Sequence, residues 1–360
     1  MEDFAILHAI EELIRTASTD AGRPHFEDPR YKSKEFDAAN LRPVEKNAKK
    51  ICFVDGGSAV IMEAPNFAIA AHRVYYSKYN GVKRESPKLS NMIEFFSLTV
   101  SKPSSGGINY DTTVYCEGED AEPVIPDKED VVFDSFDKTM TSGPVRADIS
   151  RVAMVAREFA EWKMIELIAQ GEDADIIVRD GSLQTIKTNE SKYANAAAAA
   201  CAQKKIALCG VSKTSTLLTT TGAALLPTIK NIADNNGFAD KSWFYENIVE
   251  INHPDHDAEM FVAKLHPASD YVFRVEISKK SLEHAKAADV ISALAVNATD
   301  LSFPGYPYGL INSDMMGRVP NDEADYNRIK TMAAASAKGA LKVLDAGLKA
   351  RSAHDVLDSM

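Results

Sequence analysis

The sequence predicts a mixed α/β protein whose central sheet is flanked by helices. Two observations support this prediction. The first third of the chain contains β-branched and aromatic runs with hairpin-like spacing, such as Phe67–Ala71 and Ile93–Val100. Further on, strand patterns alternate with helical patterns, as where Ile149–Gln170 precedes Ile176–Val178. Hairpins followed by alternating strands and helices build a mixed sheet.

The bulk composition is that of an ordinary globular protein. The 360 residues are 45% hydrophobic and 26% charged. No apolar run approaches the roughly 20 residues that span a bilayer, and the N-terminus does not resemble a signal peptide. We therefore expect a cytoplasmic protein without a membrane partner. The net charge of −11 argues against a protein that coats nucleic acid, but not against an enzyme with a local basic channel.

The N-terminal half begins with a helical stripe over residues 3–17, which a partner helix or the domain's own core could cover. Residues 19–50 are polar and interrupted by prolines, so we expect a connecting segment with at most one short helix. The first core strand is Ile51–Val54, and a meander of strands follows it. Residues 102–144 combine serine, glycine, proline and acidic residues, which indicates an exposed loop or small insertion.

The second half alternates helices and strands more regularly. The predicted helices and strands are, in order, helix 149–170, strand 176–178, helix 191–204, strand 206–211, strands 261–265 and 271–276, helix 285–297 and helix 325–348. Residues 303–310 form a predicted loop between the last two helices.

Two of the predicted strands lead into the same dipeptide. Ile51–Val54 is followed by Asp55, Gly56 and Gly57, and the strand at 176–178 leads to Asp180 and Gly181. If both strands lie in one sheet, the two carboxylates reach the same edge, and the acidic helix 149–170 could supply a third. Clustered carboxylates hold hard divalent cations such as Mg²⁺ or Mn²⁺. Plain turns are the alternative, because Asp-Gly is a common turn dipeptide.

Three further motifs contain residues that can contact phosphates, metals or bases. Residues 210–215 resemble the end of a phosphate-binding loop, but both glycines of the GxxxxGK[ST] spacing are absent, which excludes that loop. Lys213 could still contact a phosphate or be a solvated loop lysine. Residues 253–257, HPDHD, are more typical of a polar turn than of a metal cluster. Tyr306 and Tyr308 lie in a rigid proline loop and could pack, stack on bases or position a phosphate.

Six short motifs, taken in this order, resemble the NurA family of archaeal and bacterial nucleases. They are FVDGG (53–57), AREFAEW (156–162), RDGSL (179–183), VSKTS (211–215), DYVFRVE (270–276) and GYPYGL (305–310). The similarity runs from about residue 50 to 320, and residues 353–358 also resemble the C-terminal end of the family. We therefore divide the chain into an N-terminal helical extension (1–48), a nuclease domain with an insertion near 102–145 (49–322) and a C-terminal helix (323–360).

The resemblance implies an RNase H-like core with N- and C-terminal helical extensions. It implies a nuclease that uses Mn²⁺, with Mg²⁺ as the alternative, degrades DNA from 5′ ends and cuts single strands internally. It also implies a homodimer that works with the hexameric ATPase HerA in DNA-end resection.

Residue by residue, the resemblance assigns Asp55 and Asp180 as metal ligands. The helix carboxylate would be Glu161, with Glu158 and Glu166 on the same helix as alternatives. These carboxylates would hold cations that polarise the scissile phosphodiester.

The resemblance also assigns residues outside the carboxylates. Tyr306 matches the loop tyrosine of the family and would orient the strand end, with Tyr308 the second choice and a possible DNA contact. Lys213 and Arg274 would hold flanking phosphates.

One position departs from the family pattern. In GYPxPLxxAH the family has a histidine where this chain has Asp314. A carboxylate can ligate a hard cation, but it cannot supply an imidazole for acid–base work near neutral pH. Asp314 is thus the predicted fourth ligand, and its substitution leaves open a catalytically weakened adaptor of the ATPase. A kinase of the actin-like class is a further alternative, because that fold also uses Asp-Gly loops to hold metal-bound phosphates.

Overall fold

The computed structural model describes residues 2–16, 20–342 and 344. The α-helices of this part of the chain are α1 (Glu2–Thr16), α2 (Ile149–Gly171), α3 (Glu190–Gln203), α4 (Leu225–Ala233), α5 (Lys279–Leu282), α6 (Ala287–Asn297), α7 (Tyr308–Gly317) and α8 (Asn321–Ala337).

The strands are mostly short, apart from four long ones in the first third of the chain. They are β1 (Pro24–His25), β2 (Tyr31–Ser33), β3 (Leu41–Pro43), β4 (Lys50–Ala64), β5 (Phe67–Asn80), β6 (Lys83–Glu85), β7 (Met92–Ser104), β8 (Gly107–Cys116), β9 (Val132–Asp134), β10 (Ile176–Asp180), β11 (Ala207–Ser212), β12 (Leu218–Thr219), β13 (Trp243–Tyr245), β14 (Val249–Ile251), β15 (Ala258–Lys264) and β16 (Phe273–Ser278).

The chain divides into two compact units. The larger unit consists of residues 49–180, 184–208 and 308–360. The smaller unit consists of residues 1–48, 181–183 and 209–307.

The larger unit is built on a mixed sheet in the order β10-β4-β5-β7-β8-β9, with β6 paired to β5. Strands β10 and β4 are parallel, whereas β4, β5, β7, β8 and β9 pair antiparallel in sequence. Helix α2 packs on β4, β5 and β7 and is itself covered by α3. Helix α7 packs on β4 and β5. The predicted mixed sheet with flanking helices is therefore confirmed.

Helix α2 follows its sequence pattern closely. It begins after Asp148, whose carboxylate caps the helix by accepting a hydrogen bond from the backbone N–H of Ser150 at 2.9 Å. Its apolar residues are almost all buried, and Phe159 and Trp162 are among the largest of them. A helix this thoroughly buried is expected when both a sheet and a second helix cover it.

The prediction that the first core strand stops at Asp55 is wrong. Strand β4 continues through Gly56 and Gly57 to Ala64. The glycines serve close approach rather than a turn, because a Cβ on Gly57 would lie 2.5 Å from the carbonyl oxygen of Gly317. The strand pattern at 176–178 does end as predicted, at Asp180, and Gly181 follows with φ of +108°.

The prediction of an exposed loop or small insertion over residues 102–144 is also partly wrong. Residues 107–116 form β8, which pairs with β7, and residues 132–134 form β9, which pairs with β8. The glycine and serine residues at 104–107 belong to the tight turn between β7 and β8. The predicted C-terminal helix 325–348 begins at Asn321 and runs to Ala337, and residues 353–358 lie outside the described part of the chain.

The smaller unit has an antiparallel sheet in the order β3-β13-β15-β16-β11. Its core is formed by Trp243, Tyr245 and Val262 together with Leu225 and Ile229 of α4. The segment at 19–50 contains the short strands β1 to β3 as well as a 3₁₀ turn at Ala38–Asn40, so it is not purely a helical extension. Each strand has only two or three residues, too few to show an alternating pattern.

In the described residues, no helix has both the length and the apolar character needed to cross a membrane.

Candidate metal centre

The parallel pairing of β10 with β4 brings the two predicted aspartates together. Val178 pairs with Phe53 and Arg179 with Val54, so Asp180 lies beside Asp55. Residues in register on neighbouring parallel strands point to the same face of the sheet. The prediction that two strands carry their carboxylates to one place is confirmed by this register.

Helix α7 adds the third carboxylate. Oxygen atoms of Asp55, Asp180 and Asp314 all lie within 4.8 Å of one another. The helix is held on β4 by Ser313, whose buried hydroxyl donates to the carbonyl oxygen of Phe53 at 2.9 Å. It approaches closely at Gly309, where a Cβ would lie 2.0 Å from the Phe53 ring. The glycine is therefore what allows α7 to place Asp314 over the strand.

The chemistry of this donor set suits a hard divalent cation. All three ligand atoms are carboxylate oxygens on partly exposed side chains. Such sets bind Mg²⁺, Mn²⁺ or Ca²⁺, whereas zinc sites of proteins favour cysteine and histidine. Two local contacts hold the carboxylates: the backbone N–H of Gly56 donates to Asp55 at 2.7 Å, and Arg318 pairs with Asp314 one helical turn away.

The structure does not bring Glu161 into this group of ligand atoms. On β4, Phe53 and Asp55 face α7, while a Cβ on Gly56 would lie 2.9 Å from the Glu161 carboxylate on α2. Because side chains alternate between the faces of a strand, Glu161 lies on the opposite face from Asp55. The part that Glu161 plays stays a prediction.

Glu161 is instead neutralised by two arginines. Its carboxylate pairs with Arg157, one turn earlier on α2, and with Arg179 at 3.1 Å. Arg179 also lies over the Trp162 ring at 4.7 Å. Burial alone would lower the pKa of Arg157, but the carboxylates of Glu161, Glu158 and Asp55 raise it above its usual value. Sequence reasoning missed both arginines, although the i,i+4 spacing of Arg157 and Glu161 was available as a signal.

The two alternative helix carboxylates have other surroundings. Burial raises the pKa of Glu158, and the charge of Arg157 only partly offsets this. Glu166 accepts a hydrogen bond from Gln170 at 3.3 Å. Among the described residues, neither belongs to the group of ligand atoms formed by the three aspartates.

The smaller unit holds the two predicted phosphate contacts, Lys213 and Arg274, and Tyr306, which was predicted to orient the strand end. The ammonium of Lys213 lies 5.9 Å from the centre of the Tyr306 ring. Tyr306 is buried, and its ring centroid lies 5.0 Å from that of Phe273. Arg274 forms an ion pair with the buried Glu276 at 3.0 Å. Tyr308 belongs to the larger unit, where it begins α7 and meets Tyr79 edge to face at 6.3 Å.

The comparison with known families decides what kind of chain this is. A family model described as the NurA domain matches residues 49–319. The chain belongs to the NurA family. No curated protein matches it. Among solved structures, the catalytic domain of human endonuclease V is similar at 8% identity over 80% of this chain and 88% of its own, with a TM-score of 0.37.

The three aspartates all lie within the matched NurA domain. The family resemblance drawn from the six motifs is thereby confirmed. NurA is a nuclease-associated family, and the cluster of three carboxylates could bind a divalent metal.

One buried group of the NurA domain was not predicted. Glu276 accepts hydrogen bonds from the Ser182 hydroxyl at 2.9 Å and from the backbone N–H of Leu183 at 2.7 Å. It also pairs with His256 at 3.2 Å, and His256 bonds the Tyr31 hydroxyl at 3.0 Å. Burial would raise the pKa of Glu276, but His256, Arg274 and the Leu183 N–H bring it down to about 2. Glu276 therefore fixes the segment that directly follows Asp180 in the chain.

Proposed function

We propose that this NurA protein is a metal-dependent DNA nuclease that hydrolyses phosphodiester bonds. The observation that carries the proposal is the convergence of Asp55, Asp180 and Asp314, with carboxylate oxygens within 4.8 Å of one another in a chain of this family. A cluster of three acidic groups without a cation is electrostatically unfavourable, because like charges at this distance repel.

The chain's own residues set the geometry for the reaction. Asp55 and Asp180 are fixed by neighbouring strands, and Asp314 is fixed by the packing of α7 on β4. A divalent cation held by these oxygens would polarise the phosphodiester and lower the pKa of the attacking water. Rigid strands and a packed helix suit this task, because loosely held ligands would lose the geometry on which the rate depends.

Residues of the smaller unit are proposed to handle the DNA strand. Lys213 would pair with a backbone phosphate, and Tyr306 would orient the strand end. The contact of the Lys213 ammonium with the Tyr306 ring, at 5.9 Å, supports their acting together. Arg274 and Tyr308 are further proposed contacts, although Arg274 already pairs with Glu276.

We also propose that Mn²⁺ is the preferred cation and that the protein degrades DNA from 5′ ends and cuts single strands internally. We propose that it works in the cytoplasm as a homodimer with a HerA-type hexameric ATPase during DNA-end resection. The domain division at residues 48 and 322 and the RNase H-like character of the core are proposed on the same ground, the family membership.

The proposal is tested by cleavage of a 5′-labelled single-stranded DNA in Mn²⁺, Mg²⁺ or EDTA. We expect cleavage with metal, none with EDTA, and a loss of more than about 100-fold in Asp180→Asn, since even outer-shell partners of a metal cost 10- to 100-fold. The matched control is Asp111→Asn, which removes a carboxylate of β8 that pairs with Lys102. It should cleave as the wild type does.

The same assay separates the nuclease from the adaptor. If the folded wild-type protein cleaves DNA neither in Mn²⁺ nor in Mg²⁺, the nuclease is refuted and the catalytically weakened adaptor is favoured. The placement of Asp314 beside the other two aspartates supports the nuclease. A carboxylate at this position can still ligate a hard cation, through oxygen instead of the nitrogen of the histidine that the family resemblance implies.

A further inference from the structure

An exposed aromatic pair lies on the smaller unit. The rings of Tyr271 and Phe303 are stacked, with centroids 5.4 Å apart and planes inclined by 28°. Tyr271 is 60% exposed and Phe303 39% exposed. Between Phe303 and the end of α6, Leu301 is 94% exposed. Large apolar side chains at such exposure, grouped together, indicate a surface that binds something.

Two loops are held so that these rings meet. Gly305 has φ of +104°, and a Cβ on it would lie 2.3 Å from the Ser269 hydroxyl, so the two loops approach here as only glycine permits. The Ser269 hydroxyl in turn bonds both the backbone N–H and the carbonyl of Tyr271 at 3.1 Å. These contacts preorganise the aromatic pair.

The exposed pair continues inward to Tyr306, the tyrosine proposed to orient the strand end. Phe303 meets the Tyr306 ring edge to face at 6.5 Å, and Tyr306 packs on Phe273. Lys213 lies at the same Tyr306 ring. An exposed stacking face, a buried tyrosine and a cation thus form one continuous cluster.

Two lysine charges act on the loop that carries Ser269. Burial lowers the pKa of His266, in the loop that carries Ser269, and the charges of Lys46 and Lys264 lower it further. The cation that lies within the aromatic cluster itself is Lys213, whose ammonium is 5.9 Å from the centre of the Tyr306 ring. Two acids are also near in sequence: Asp270 directly precedes Tyr271, and Asp300 accepts from the backbone N–H of Ser302 at 2.8 Å in its own turn.

We propose that Tyr271 and Phe303 form a stacking platform for an unpaired base of single-stranded DNA. Aromatic side chains beside a cation are how proteins hold single strands, because every base offers a π-face and every phosphate a charge. Bases inside a duplex are covered by their neighbours, so this platform favours single-stranded substrates. The inference rests on the proposed function, in that it names a subsite for the DNA of that reaction.

The test measures binding without cleavage. Asp180→Asn protein in EDTA is titrated into a single-stranded oligonucleotide that carries one 2-aminopurine, with Kd from anisotropy and stacking from fluorescence quenching. We expect Tyr271→Ala and Phe303→Ala to weaken binding by about 5- to 150-fold and to reduce the quenching. Tyr271→Phe and Phe303→Tyr should preserve both. Tyr115→Ala removes an exposed aromatic of the larger unit and should change neither.

An abasic oligonucleotide completes the design. Because the platform binds a base, the effect of Tyr271→Ala should vanish on a strand that lacks bases and keeps its phosphates. An equal loss on both strands would overturn the proposal, as would unchanged binding and quenching in the alanine variants. If the variants instead changed the oligomeric state with unaltered DNA binding, the pair would be a protein contact and the platform would be refuted.

The two proposals fail in distinguishable ways. Quenching by a protein that cleaves nothing with any metal would refute the nuclease and leave the platform standing. Metal-dependent cleavage by the wild type, together with normal DNA binding by the alanine variants, would support the nuclease and refute the platform.

Discussion

At the scale of single residues, Asp314 carries the largest consequence. The family resemblance implies histidine at this position, and the structure places the aspartate within 4.8 Å of two other carboxylates. Replacing imidazole by carboxylate adds a negative charge to the centre. The added charge strengthens the attraction to a hard cation. The replacement also removes the imidazole, a group that titrates near neutral pH.

Two substitutions of Asp314 should therefore behave differently. Asp314→Asn keeps the shape but loses the charge, and we expect at least about a 10-fold fall in Mn²⁺-dependent cleavage. Asp314→His restores the family residue and should retain more activity than Asp314→Asn. The measurement is the initial cleavage rate against Mn²⁺ concentration. Equal activity of wild type and Asp314→Asn would show that Asp314 does not contribute to the centre.

Residue His72 illustrates how burial sets a protonation state. It is buried between strands, and its ring nitrogens bond Ser58 at 2.8 Å and Ser97 at 2.7 Å. Because the Ser97 hydroxyl donates to the Ala153 carbonyl, it accepts from Nε2–H of the histidine, and Nδ1 accepts from Ser58. Burial, helped by the charge of Arg157, lowers the pKa of His72 to about 3.

This low pKa predicts a loss of stability in mild acid. The unfolded chain binds a proton on this histidine below pH of about 6.5, and the native protein does not. The free energy of unfolding should therefore fall by about 1.4 kcal/mol per pH unit as the pH drops from about 6.5 towards 3. Urea unfolding at several pH values, compared between wild type and His72→Gln, measures the difference. Identical slopes between pH 6 and 5 would contradict the prediction.

At the scale of elements, β4 and the end of α7 approach each other closely beside the centre. Gly57→Ala would place a methyl group 2.5 Å from the Gly317 carbonyl, which is backbone and cannot move aside cheaply. We expect a loss of stability of about 1–3 kcal/mol and weaker Mn²⁺ binding, because α7 carries Asp314. Thermal unfolding and Mn²⁺ titration measure the two effects.

The control for this substitution is Gly106→Ala. This glycine lies in the turn between β7 and β8, and a Cβ there would meet nothing within 4 Å. The variant should unfold and bind Mn²⁺ as the wild type does. Equal behaviour of the two alanine variants would mean that α7 tolerates displacement.

The elements also show where sequence patterns succeed. Helix α2 and strand β10 were predicted nearly to the residue, because long buried helices and β-branched runs carry strong periodic signals. The predicted loop 303–310 is wrong at its end, where α7 begins at Tyr308, and the rest of α7 was not predicted, since Tyr308–Gly317 is short, contains two glycines and has no apolar stripe. The long reach of β4 was hidden by Gly56 and Gly57, which normally indicate a turn but here make room for other backbone and side-chain atoms.

At the scale of the whole molecule, the sequence predicted the identity of the three clustered aspartates better than their arrangement. Asp55 and Asp180 follow from strand patterns, and Asp314 followed only from the family resemblance. Which carboxylates share a face depends on register and helix placement, so the separation of Glu161 from Asp55 could not be read from spacing. The Arg157–Glu161–Arg179 ion pairs depend on the same long-range packing.

The proposed homodimer makes a prediction at this scale. The apolar stripe of α1, with Ile6, Leu7, Ile10 and Leu13, is exposed in the described chain. If a second copy covers it, Leu7→Ser with Leu13→Ser should lower the mass in solution from dimer to monomer, because burial of each leucine contributes about 1.5–3 kcal/mol. Light scattering after size exclusion measures the mass. Glu11→Ser, off the apolar stripe, is the control and should stay dimeric. A variant that keeps the dimer mass would place the interface elsewhere.

Whether the three aspartates form a metal centre is tested most directly by Mn²⁺ binding, measured by the EPR signal of free Mn²⁺. We expect saturable binding by the wild-type protein and a dissociation constant more than about 10-fold weaker in Asp180→Asn, with Asp111→Asn unchanged. Equal Mn²⁺ affinity in wild type and Asp180→Asn would contradict this expectation, because the three aspartates would then not be the metal centre.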